Sequence, residues 1–135
     1  MQQKRLPIGH YLKLADNYLT KGIDEIQAQH SLNRIEWQIL HSIFEESSIQ
    51  KQKIFEIIKP HADSQIVEKV LSKFSSKNFI ETTNDTFTLT TAGQELHKAC
   101  FDTQKKFREK AVSGISETDY QTTILTLQKI INNIQ

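Results

Sequence analysis

Cysteine, proline, glycine, long apolar runs and charge of one sign are all scarce in this 135-residue chain. Its single cysteine, Cys100, cannot form an intramolecular disulfide, and nothing in its cysteine usage points to an oxidising compartment. Two prolines and four glycines are too few for a β-rich chain with a turn every ten residues, and 37% hydrophobic residues argue against disorder. No stretch approaches the ~20 apolar residues of a membrane span. The opening, MQQKRLPIGHYLKLADNYL, interrupts its apolar residues with His10, Lys13, Asp16 and Asn17, so no signal peptide is expected and a cytoplasmic location follows as the default. The formal charge is +1, and from residue 33 to 93 seven Lys/Arg face eight Asp/Glu. The expectation is a single, mainly helical domain that buries roughly two thirds of its unfolded surface.

Apolar positions carry the helical reading. Pro7 suits a first helical turn, and Ile8, Leu12, Ala15, Leu19, Ile23 and Ile26 then step by three or four, with Tyr11, Leu14 and Tyr18 widening the stripe. In Leu32-Asn33-Arg34-Ile35-Glu36-Trp37, Asn33 can cap a second helix, Glu36 can return the bond, and Leu32 can staple onto Trp37. A short helix from about Lys51 to Ile58 contributes Ile54, Phe55, Ile57 and Ile58. Pro60 ends it, because proline lacks an N–H and restricts Lys59 before it. Asp63 caps the next helix, whose stripe is Ile66, Val67, Val70, Leu71 and Phe74 and whose opposite face carries Ser64, Gln65, Glu68, Lys69, Ser72 and Lys73.

After Lys77 and Asn78 the pattern turns β-branched and aromatic around Asn84-Asp85, a two-residue hairpin signal. Thr90 can cap a long polar helix carrying Leu96, Cys100, Phe107 and Ala111. Ser116 with Asp119 opens a last helix with a stripe of Tyr120, Ile124, Leu127, Ile131 and Ile134. Helix, turn, candidate recognition helix and β-hairpin wing, in that order, predict a winged helix-turn-helix: mainly α with a small hairpin wing over residues 33–93. Residues 6–30 and 91–135 supply a helical dimerisation region, all within one domain, 1–135. This order of elements points to a reader of double-stranded DNA.

The whole order resembles the MarR family of winged-helix transcriptional regulators. The resemblance rests on HSLNRIEWQILHSI at 30–43, ADSQIVEKVLSKFSSKNFI at 62–80, LTTAG at 89–93 and ISETDYQTTILTLQKIINNI at 115–134. It implies a homodimer joined through the first and last two helices, a pseudo-palindromic operator, and release of DNA by a small, often phenolic, effector. The departures weaken attraction for DNA. Ser64 stands where the family usually has Arg, Glu68 where a small hydroxyl residue is common, and the wing tip from Glu81 to Thr86 holds no basic residue. The turn from Lys59 to Ala62 is also about two residues longer than the family's usual turn.

Ser64, Gln65, Glu68, Lys69 and Lys73 are therefore the candidate DNA-binding residues of the recognition helix. Lys51 and Lys53 join them as positioning cations, with Thr83 and Asn84 at the wing. Gln65 suits an adenine edge and Lys69 a guanine or a phosphate. Tyr11, Tyr18, Trp37 and His41 are candidates for a small aromatic effector; the plain alternative is that they pack the core. His10, His30, His41, His61 and His97 show no ligand spacing, so neither metal nor cofactor is expected. On its apolar stripe, Cys100 is expected to be an inert packing residue rather than a redox sensor. No nucleophile motif, paired-carboxylate pattern or phosphate-binding glycine loop supports an enzyme. The reading is a ligand-responsive repressor; the rival is a dimeric winged-helix interaction module that has lost DNA binding, motivated by the acidic balance and the bare wing.

Overall fold

The computed structural model describes residues 4–135. The first three residues of the opening stretch and of the 1–135 domain lie outside the described residues. Six helices and three short strands follow in the order α1 (Ile8–Gln29), α2 (Arg34–Glu46), β1 (Ile49–Gln50), α3 (Lys51–Ile58), α4 (Ser64–Ser76), β2 (Ile80–Thr83), β3 (Thr86–Leu89), α5 (Thr91–Ala111) and α6 (Glu117–Ile134).

The starts of four helices are set by local side chains. Asn33 accepts from the Glu36 N–H while the Glu36 carboxylate accepts from the Asn33 N–H, so two free donors of the first turn are satisfied reciprocally. Asp63 caps α4 through the Ile66 N–H, Thr90 caps α5 through the Gly93 N–H, and Ser116 caps α6 through the Asp119 N–H. At the wing, Asn84 and Asp85 take φ of 51° and 59° between the paired residues Thr83 and Thr86. Both central residues of this tight hairpin turn are thus left-handed, which Asn and Asp tolerate.

The sheet has the order β1-β3-β2, all antiparallel. Ile49 is the first residue of β1 and pairs with Phe87. Ile39, Leu40, Ile43, Ile54, Ile58, Val67, Leu71 and Phe74 form the centre of the core, closed by Ile49, Ile80 and Phe87 from the sheet. Two expected core residues are outside it. Ile57 is 41% and Ile66 44% exposed, because α3 buries only Ile54 and Ile58 and the buried stripe of α4 begins at Val67.

The stem helices bury little. In α1 only Ile26 and Gln27 are buried, and α6 buries no residue at all. Ile8, Leu12, Leu14 and Leu19 on α1, with Tyr120, Ile124, Leu125, Ile131 and Ile134 on α6, are exposed large apolar residues. The α1 helix rests on α5, where Gly22 allows the Phe107 ring to lie against the α1 backbone: a Cβ there would sit 2.2 Å from the ring. Among the described residues no helix is long and apolar enough to cross a membrane.

Candidate nucleic-acid interface

With Val67, Val70, Leu71 and Phe74 turned into the core, α4 presents Ser64, Gln65, Glu68, Lys69 and Ser72 to solvent along one face. The wing tip, Thr83 to Asp85, is likewise exposed. It is tied back to the head by the Lys51 N–H, which donates to the Asp85 carbonyl at 3.0 Å.

The charges of this face are more internally matched than their spacing implies. Lys51 pairs with Glu68 across the α3–α4 junction, and Lys53 pairs with Glu46 at 3.0 Å. Lys73, half-buried one turn beyond Lys69, places its ammonium against the carboxylate of Glu36. Glu36 is buried, so a lysine expected to meet phosphate is occupied in neutralising the α2 capping box. Between residues 33 and 93, Lys59, Lys69 and Lys77 are exposed and have no ion-pair partner among the described residues.

The four effector candidates do not converge. Tyr11 and Tyr18 are 50% and 70% exposed on α1. Tyr11 accepts the Leu6 N–H at 3.3 Å. Trp37 is buried and stacks on both His41 and His97, with centroids 5.4 and 4.9 Å apart. It also lines an open cleft of about 430 Å³ between α1, α2 and α5 with Ile23, Gln27, Gln38, Gln104 and Arg108. Neither tyrosine nor His41 lines that cleft.

Two polar groupings had no sequence signal. His41 Nδ1 lies 2.9 Å from His97 Nε2, and Phe44 stacks on His97 at 3.8 Å. Burial first, and then the neighbouring His41, lower the His97 pKa to about 4, while Glu45 and Asp102 act in the other direction. The second grouping is a buried amide relay. Gln104 Nε2 donates to the Cys100 carbonyl and sulfur, and Gln27 Nε2 donates to Gln104 Oε1 at 3.3 Å. Gln27 Oε1 is left buried without a partner among the described residues, as is Gln38 Oε1. Cys100 is fully buried, and burial raises its thiol pKa, as suits a packing residue.

A capped helix-turn-helix followed by a β-hairpin wing, set between long stem helices, defines a winged-helix protein. No protein-family model and no curated protein sequence matches the chain. Solved structures do. MepR of Staphylococcus aureus, a transcription regulator of the multidrug efflux pump MepA, superposes with a TM-score of 0.79 at 16% identity, over 96% of this chain and 100% of that one. YusO of Bacillus subtilis gives 0.74 at 16% identity, over 93% and 92%. Reduced MarR of E. coli gives 0.70 at 16% identity, over 94% and 95%. The chain therefore has the winged-helix fold of MarR-type regulators, as the resemblance implied.

Proposed function

We propose that the protein is a DNA-binding transcriptional regulator that works as a homodimer on a pseudo-palindromic operator. The observation that carries this reading is the free face of α4 beside the exposed wing, on the fold of regulators of which one, a MepR mutant, has been solved bound to an oligodeoxyribonucleotide. In such a dimer the two α4 helices enter successive major grooves about one helical turn apart. Gln65, Glu68 and Lys69 face the bases, Ser64 and the wing residues Thr83 and Asn84 flank them, and Lys51 and Lys53 sit at the α3 edge. The apolar residues left uncovered on α1 and α6 support dimerisation through the stem.

An effector in the cleft beside Trp37 would act by changing how α1 and α5 hold α2, and so bias the spacing of the two reading heads without touching DNA. The cleft joins apolar walls to amide and guanidinium groups, which suits a small aromatic molecule with polar substituents. The proposed location is the cytoplasm, and no catalytic role is assigned.

The rival, a dimeric interaction module, draws on the paired lysines and the wing without a basic residue. Fluorescence binding of genomic fragments at low salt, against a nonspecific duplex, separates the two. A fragment bound at least a hundredfold more tightly than the control is the expected result; equal, millimolar binding to every duplex would favour the module.

A further inference from the structure

We propose that Glu68 is a specificity-determining residue that accepts a hydrogen bond from the amino group of a cytosine in the major groove, and that Lys51 is its positioning residue. The inference rests on the DNA-binding reading above.

Glu68 stands in the middle of the exposed face of α4, one turn beyond Ser64 and Gln65 and one turn before Ser72. A lone carboxylate there would be repelled by the phosphates on both sides of the groove. Lys51 removes that penalty: its ammonium holds Glu68 Oε1, so the pair is close to neutral. Oε2 has no partner among the described residues. Lys51 is itself held from three directions. It is the first residue of α3, its N–H is bonded to the Asp85 carbonyl of the wing turn, and its ammonium lies 6.0 Å from the centre of the Phe55 ring. Lys51 thus joins α3 to the recognition helix through its side chain and to the wing through its backbone, and its ammonium fixes where the Glu68 carboxylate points.

Partly exposed ion pairs contribute little to folding, so fold stability is a weak reason for this arrangement. Its chemistry is selective. A carboxylate can only accept, and of the base edges in the major groove the cytosine amino group offers a donor flanked by the guanine O6. That oxygen in turn suits the remaining N–H groups of the Lys51 ammonium. Adenine offers a donor too, but its N7 acceptor lies beside it and repels a carboxylate.

The test is selection of binding sites from a random duplex pool by the full-length protein and by two variants, Glu68→Gln and Lys51→Met, each shown to be folded by circular dichroism. Wild type should enrich a motif with one C·G pair in each half-site whose replacement by T·A lowers affinity about tenfold. Glu68→Gln should lose that preference, shift towards adenine at the same position, and bind the unselected pool more tightly. Lys51→Met should enrich the same motif with the cytosine preference reduced severalfold and weaker binding to the pool. If Glu68→Gln enriches the wild-type motif unchanged, the assignment of Glu68 is wrong while the DNA-binding reading stands. If Lys51→Met keeps the full cytosine preference, Lys51 does not position Glu68. If wild type enriches nothing, the DNA-binding reading falls and this inference with it.

Discussion

His41 Nδ1 and His97 Nε2 lie 2.9 Å apart and join the reading head, through α2, to the stem, through α5. Only one proton fits between two ring nitrogens at this distance. Glu45 Oε1, 3.3 Å from His41 Nε2, can only accept, which places a proton on that nitrogen and leaves Nδ1 to accept from the His97 Nε2–H. The two rings are sandwiched against Trp37 and Phe44.

Acid should therefore loosen the fold at this joint. The folded pKa of His97, about 4, lies below its ordinary 6.5, so the folded state binds fewer protons than the unfolded chain. The stabilisation is complete above about pH 6.5 and is lost as pH falls towards 4. Replacing His97 by Phe keeps the stack and removes the titration. Between pH 7 and pH 4, wild type should lose about 3 kcal/mol more than His97→Phe in urea unfolding. Equal losses would show that His97 does not resist protonation.

The glycines give a steric series. A Cβ on Gly93 would lie 2.1 Å from the Phe79 carbonyl oxygen, which already accepts the Thr90 N–H at 3.0 Å, so only backbone movement could make room. Gly93→Ala should destabilise by about 2 kcal/mol or more. Gly114→Ala, strained only by its φ of +79°, should cost about 1 kcal/mol. Gly9→Ala, with open space around it in a helix, should stabilise slightly. Thermal unfolding of the three variants checks the order, and a Gly93→Ala protein as stable as wild type would contradict the close packing of α5 on Phe79.

Where interactions are local, the fold was legible in the residues. Asn33 with Glu36, Asp63, Thr90 and Ser116 announce helix starts within three positions of themselves, and Asn84-Asp85 announces its turn. Periodicity failed where it cannot know what covers a face, as at Ile57 and Ile66. It could not assign β1 either, because two residues become a strand only by pairing with β3. Of the expected solvent face of α4, Ser64, Gln65, Glu68, Lys69 and Ser72 are exposed while Lys73 is half-buried, and the partners of the charges were not legible. Lys51 and Glu68 are 17 positions apart, Glu36 and Lys73 are 37 apart, and His41 and His97 are 56 apart. No short-range rule connects such pairs.

The stem should dimerise. Leu12 on α1 and Ile124 on α6 are both exposed, on helices with few buried residues or none. Light scattering at micromolar concentration should give twice the 15.6 kDa chain mass, and Leu12→Asp with Ile124→Asp should give a helical monomer. A wild-type monomer would remove the basis for two coupled reading heads.

Salt dependence and Lys73 together test the charge assignments of the reading head. Between residues 33 and 93, the three lysines without ion-pair partners among the described residues, Lys59, Lys69 and Lys77, make at most about six phosphate contacts in a dimer, so log K against log salt should be no steeper than about −5. Lys69→Ala should flatten it by up to ~1.8, about 0.9 for each protomer. Lys73→Met should behave differently, because its ammonium is turned to the buried Glu36 carboxylate. Stability should fall by about 1 to 3 kcal/mol as that carboxylate loses its counter-charge, while the salt slope stays the same. Adding Glu36→Gln should recover part of the stability, since a neutral amide needs no cation. A slope flattened by ~1.8 in Lys73→Met, with stability unchanged, would move Lys73 onto the phosphate backbone and leave Glu36 without its partner.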